Sequence, residues 1–191
     1  MRNSLLIIIS TLAGWIFLKY LLLGNVSFEN SFKYGFLYHG TALVTFAILA
    51  TANGIRTMGN SPDFLDGFKH IAKSVVLYAI GATLSVGVWH HIIVKKATHA
   101  RLETLNLSIS NHFDSEADFL VEAENRSLGT EQTLSEWVTS QHEAADIFYS
   151  AKTQISLTLM VYLVLGIFIS FIASLLWTKV WGVQQISPHN R

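Results

Sequence analysis

The stretch TQISLTLMVYLVLGIFISFIASLLWT, residues 153–178, contains no Lys, Arg, Asp or Glu. A helix rises about 1.5 Å per residue, so roughly 20 apolar residues cross a 30 Å hydrocarbon core, and this segment exceeds that length. Core helices of soluble proteins are usually shorter and carry a polar stripe. Here the polar residues are mostly Ser and Thr, which a bilayer tolerates. Three more stretches read the same way. Residues 3–18 (NSLLIIISTLAGWIFL) continue past Lys19 into Tyr20-Leu21-Leu22-Leu23, which gives a first span over 4–23. Residues 34–55 (YGFLYHGTALVTFAILATANGI) form a second and 74–94 (SVVLYAIGATLSVGVWHHIIV) a third. With the fourth taken over 155–178, the predicted fold is all-α: an integral membrane four-helix bundle with an extramembrane helical hairpin between the third and fourth spans. No small-x-small cleavage site follows the first stretch, so it reads as an uncleaved span rather than a signal peptide beginning at Arg2.

Composition agrees. Of 191 residues 51% are hydrophobic and only 14% charged, against about 25% in soluble domains. The 13 Lys+Arg balance the 13 Asp+Glu, which argues against a basic nucleic-acid binder and against a disordered chain. With no cysteine there is no disulfide framework, thiolate metal site or cysteine nucleophile. The neutrality is segregated. Residues 95–152 hold ten acids and five bases, and the rest of the chain three acids and eight bases.

Lys and Arg in short loops should set orientation, but six near one side face six near the other. Arg2 at the start of the first span tips the reading toward both termini in the cytoplasm. The link then lies on the same side. Its Ser61 is placed to cap a helix, Pro62 to begin it, and Asp63 to meet its dipole. Phe64, Leu65, Phe68 and Ile71 recur at helical spacing, predicting a short amphipathic interfacial helix over 62–73 that turns into the third span. Lys19 should snorkel, its stem along lipid and its ammonium among headgroups. His39, some five residues from Lys33, should fall in the headgroup zone, and Trp177 and Trp181 in an aromatic belt.

Residues 95–152 are too long for a structureless loop. His99, Leu102, Leu105 and Ile109 continue a helical face outward from the third span. After Asn111 an acid-rich segment runs through Ala117, Leu120, Val121 and Ala123 to Leu128-Gly129. Thr133 with Glu136 matches a capping box. Leu134, Trp137, Val138, Ala144, Ala145, Phe148 and Ala151 then lead into the fourth span. The hairpin's apolar stripe is expected to be covered by its other arm or by a partner chain, with Trp137 and Phe148 as the partner-facing candidates.

For chemistry, His91, Lys95, His99 and Glu103 share one ideal helical face. His91 and His99 lie about 12 Å apart along the axis, too far to hold one ion, so only a site completed by His142 would bind metal. The acids of 114–124 do not match the spacing of a calcium loop. No phosphate loop or nucleophile elbow occurs, and no catalytic residue or cofactor is expected. Three sequons begin at Asn25, Asn106 and Asn125. Small residues repeat every four positions at Ser10-Gly14, Gly81-Ser85 and Gly166-Ser170-Ser174, ridges that let helices approach closely within this chain or between copies.

Three segments carry a family resemblance. GIRTMGNSPDFLDGFKHIAK (54–73) resembles the polar link, SEWVTSQHEAADIFYSAKTQ (135–154) the acidic amphipathic approach to the last helix, and LGIFISFIASLL (165–176) the closing Gly-x-x-x-Ser helix of a family of small four-span membrane proteins common in Bacteroidota, a domain of unknown function. Asp63 and Asp66 depart from that family's more basic link. The resemblance implies the four-span fold and brings no catalytic residues. The first functional expectation is a structural or accessory subunit of an envelope assembly, with the lipid bilayer, a membrane protein or a second copy as partner. The second is a small oligomeric transporter or channel. The third is a membrane enzyme acting on a lipid-linked substrate through His90, His91, His99 and the hairpin acids.

Overall fold

A computed structural model describes residues 2–59, 62–125 and 132–181. Every regular element among them is a helix, and none is a strand. In chain order these are α1 (Arg2–Leu21), α2 (Phe28–Met58), α3 (Phe64–Val88), α4 (Lys95–Ser110), α5 (Glu116–Asn125), α6 (Leu134–Tyr149) and α7 (Ala151–Leu176). Five-residue π-helical turns follow α3 (Trp89–Ile93) and α7 (Trp177–Trp181). Two compact units result, one from Met1–Val86 with Leu157–Arg191 and one from Gly87–Ser156.

Among the described residues three helical stretches are long and apolar enough to cross a membrane: Lys33–Met58, Phe64–Ile93 and Ala151–Val180. The apolar part of α1, Leu5–Leu21, is shorter. Large apolar side chains face outward on each of these helices, among them Phe17, Leu37, Leu84 and Phe168. Hydroxyls inside the helices turn back on their own backbone. Thr45, Thr51, Thr83 and Ser170 each donate to the carbonyl four residues earlier, which satisfies a polar group where no water is needed.

In the first unit, Ile71, Val75, Tyr78, Ala79 and Ala82 put one face of α3 wholly into the core. Residues 64–73 and the apolar stretch after them are one continuous helix, with no turn at residue 74. Nothing between Phe64 and Val88 breaks a helix, and the apolar face at Ile71 simply continues through Val75. Asp63 takes over the start: its carboxylate accepts from the Leu65 N–H at 3.3 Å. Ser61 lies outside the described residues. α2 begins earlier than the charge pattern implies because Ser27 caps it, accepting from Asn30 N–H. It ends at Gly59, whose φ of +81° suits glycine and whose N–H closes on the Ile55 carbonyl.

The small-residue ridges separate. Gly166, Ser170 and Ser174 are buried. A Cβ at Gly166 would stand 2.7 Å from Val75, and Ser174 Oγ donates to the Phe64 carbonyl at 2.9 Å, so this ridge is internal packing against α3. A Cβ at Gly81 would stand 2.6 Å from Leu12 of α1, while Ser85 is half-buried. Ser10 and Gly14 are exposed. The packed face of α1 is instead Ile8, Leu12, Trp15 and Lys19. Trp177 is a second correction. It is fully buried, not in an aromatic belt, its indole N–H donating to the Gly59 carbonyl at 3.3 Å.

In the second unit α4 and α6 pack against each other and cover part of the hairpin's stripe. Trp137 is half-buried against rings of its own chain. Its ring lies 5.2 Å from Phe113 and 6.1 Å from Phe119, and stacks on His112. On α5 the buried residues are Phe119 and Ala123, while Leu120 and Val121 face outward. Leu128-Gly129 and the end of the third sequon lie outside the described residues. Phe148 is exposed, beside the equally exposed Ile147. Ser150, extended in backbone, closes α6 and caps α7 through the Thr153 N–H.

The capping box at Thr133 and Glu136 forms as expected. The Thr133 backbone N–H and then its hydroxyl donate to Glu136 and hold that carboxyl below its ordinary range. A depressed native pKa means this contribution is complete above the unfolded pKa and is lost as pH falls through the native one. Thr133→Ala is expected to speed hydrogen exchange in the first turn of α6 severalfold at neutral pH. The difference from the parent protein should shrink under acid conditions that protonate Glu136.

Candidate functional site

The described residues concentrate unexpected chemistry inside the first unit. His39 is fully buried, as are Trp15 and Tyr78, and Lys19 is only 4% exposed. Trp15 is the hub. Its ring centroid lies 5.0 Å from those of Tyr38 and His39, with the Lys19 ammonium 5.2 Å away over its face. His39 Nδ1 meets the Tyr78 hydroxyl at 2.8 Å, and the Tyr162 ring lies 5.4 Å from the imidazole. Tyr38 donates to the Thr11 carbonyl at 2.8 Å. Lys19 Nζ donates to Ser31 Oγ at 2.7 Å.

Two placements are thereby corrected. Lys19 does not snorkel: it lies on the packed face of α1, where an aromatic face and the Ser31 hydroxyl replace part of its hydration. His39, expected near the headgroups, is instead fully enclosed by protein, with Tyr78 and Tyr162 against it.

The arrangement has reactive capacity. Two tautomers satisfy the His39–Tyr78 contact; in one the tyrosine donates, in the other the imidazole does. His39 Nε2 and Trp15 Nε1 are buried without a hydrogen-bond partner among the described residues. Such atoms are costly in a core and call for an explanation. Tyr78→Phe would strand a second imidazole nitrogen and is expected to cost about 1–3 kcal/mol. Lys19→Met, which replaces a buried cation by an apolar chain of similar length, should be neutral or stabilising, because burying an ammonium carries a desolvation cost. Thermal unfolding in detergent micelles checks both signs.

The histidines of the second unit do not assemble. The π-helical turn, closed by Val94 N–H on the Trp89 carbonyl at 2.9 Å, inserts a residue and breaks the ideal face shared by His91 and His99. Thr98 Oγ1 caps the displaced His90 carbonyl at 2.9 Å. His91 Nε2 meets Gln154 at 3.0 Å, His142 Nε2 meets the Asn106 carbonyl at 3.1 Å, and His99 is exposed. No three His, Asp or Glu side chains among the described residues could hold one metal ion.

Sequence reasoning passed over Trp15, Tyr78 and Tyr162. The available clue was weak: aromatic residues inside charge-free spans, one of them four residues before Lys19. No family model, no curated protein and no solved structure matches this chain.

Proposed function

We propose that this chain is a multi-pass protein of the bacterial inner membrane, akin to the small four-span family it resembles, and that it serves as an accessory subunit of an envelope assembly. In this reading α1 is the first span and brings the number to four. Its apolar part, Leu5–Leu21, reaches the lower end of the roughly 17–25 residues that suffice. Both termini lie in the cytoplasm and the α4–α6 hairpin is extramembrane. The observation that carries the accessory role is the exposed pair Ile147 and Phe148 on α6, whose opposite side already packs on α4.

Mild crosslinking, affinity purification and mass spectrometry test it. A reproducible membrane or envelope partner should accompany the parent chain and be depleted by Phe148→Ser, an exposed change expected to alter folding by no more than about 0.5 kcal/mol. Purification of the parent as a lone monomer under the same conditions would overturn the partner reading.

A second reading is favoured by one specific feature. Lys19, His39 and Tyr78 form a buried cluster of ionisable groups, and such groups in a membrane helix usually mark a proton or substrate path. The oligomeric transporter reading therefore gains support. Proton flux in proteoliposomes that disappears in His39→Gln would establish it, and equal flux with empty liposomes would end it. The enzyme reading weakens, since the histidines it requires are dispersed.

A further inference from the structure

A notch between α1, α2 and α3 combines two chemistries. Its volume is about 400 Å³, within the range of about 300–1,000 Å³ typical of small-molecule sites. Ile8, Phe46 and Leu77 make one end apolar, whereas Asn53, His70, Lys73 and Ser74 gather at the other. Seven residues separate Phe46 from Asn53 on α2, and seven separate Leu77 from His70 on α3. The apolar and polar ends are therefore about 10 Å apart along each helix.

The polar end is basic and uncompensated. Among the described residues no acidic side chain lines the notch. Lys73 makes no ion pair among the described residues, whereas Lys69 on the same helix approaches Asp66 at 3.8 Å. The His70 ring is held edge-on by Trp177 at 6.3 Å. By contrast, the larger groove of about 640 Å³ between α1 and α2 has only Thr and Tyr hydroxyls among its apolar lining and no charge to select a headgroup.

We propose that the notch binds an anionic phospholipid, its phosphate at Lys73 and His70 and the first part of one acyl chain along Phe46 and Leu77. This rests on the membrane-spanning reading above. In that topology the polar end, which bears the α2–α3 turn, faces the cytoplasmic leaflet. Basic pockets between helices on that side suit anionic headgroups.

Native mass spectrometry of the full chain, released from micelles doped with phosphatidylglycerol or phosphatidylcholine, tests the site. The parent should retain phosphatidylglycerol with a preference of about tenfold. Lys73→Gln and His70→Gln should each reduce that preference, and Lys69→Gln should leave it intact. Inorganic phosphate should not compete, because it cannot fill the apolar end. Equal retention of the two lipids, a preference indifferent to Lys73→Gln, or displacement by phosphate would each overturn the proposal. Alkaline extraction of native membranes separates the two layers of inference. Release of the chain defeats the spanning reading itself, while retention without lipid preference defeats only the lipid site.

Discussion

Trp177→Ala is expected to destabilise the first unit by about 3–5 kcal/mol, the range for removing a large aromatic from a packed core. The indole is fully buried and fits against two glycines. A Cβ at Gly54 would collide with its ring, and one at Gly67 would stand 3.4 Å from it. Its N–H also holds the Gly59 carbonyl, tying the turn after α2 to the end of α7. The substitution therefore opens a cavity and releases a backbone acceptor at once. Thermal unfolding in micelles gives the magnitude, and a double-mutant cycle gives the mechanism. Gly54→Ala should be destabilising alone and markedly less so beside Trp177→Ala, because its added methyl then occupies vacated space. Strict additivity of the pair would show that the indole is not packed against Gly54.

Gly166→Leu is expected to cost about 3 kcal/mol or more, at or above the usual upper range for overpacking a core. Even a methyl there would lie 2.7 Å from Val75 and 3.7 Å from Leu43, so a leucine must displace α7. The control is Gly14→Leu. Its Cβ would meet only the Tyr38 hydroxyl at 3.6 Å, on an exposed stretch of α1. That change should leave the unfolding temperature nearly unaltered. If the two substitutions proved equally costly, the assignment of the packed face of α1 to Ile8, Leu12 and Trp15 would be wrong.

These two residues belong to motifs that look alike as sequence. Ser10-Gly14 and Gly166-Ser170 have the same spacing and similar apolar neighbours, yet one ridge is open and the other buried. Small residues permit close approach without naming the helix that approaches. The cluster around His39 was less legible still. Its members come from α1, α2, α3 and α7, and Lys19 and His39 read individually as interfacial groups near span ends. Their joint burial depends on Ser27 starting α2 early and on Trp15 filling the space between α1 and α2. The pattern also concealed the π-helical turn at Trp89–Ile93, because one inserted residue rotates every downstream histidine without altering composition.

Helix type, the approximate extent of the long apolar helices, the Thr133–Glu136 cap and the charge contrast of residues 95–152 were set by the sequence alone. Each depends on local physics: charge-free length, side-chain reach over three residues, and hydrophobic period. Only the tertiary structure decided that Lys19 and His39 are interior, that Trp177 is core, that Trp137 packs on its own chain, and which glycine-serine ridges are packed and which is left open. Those outcomes turn on which residues distant in the chain come to lie within van der Waals reach. An apolar helix offers several nearly equivalent faces, and the choice among them falls to the shapes of its neighbours.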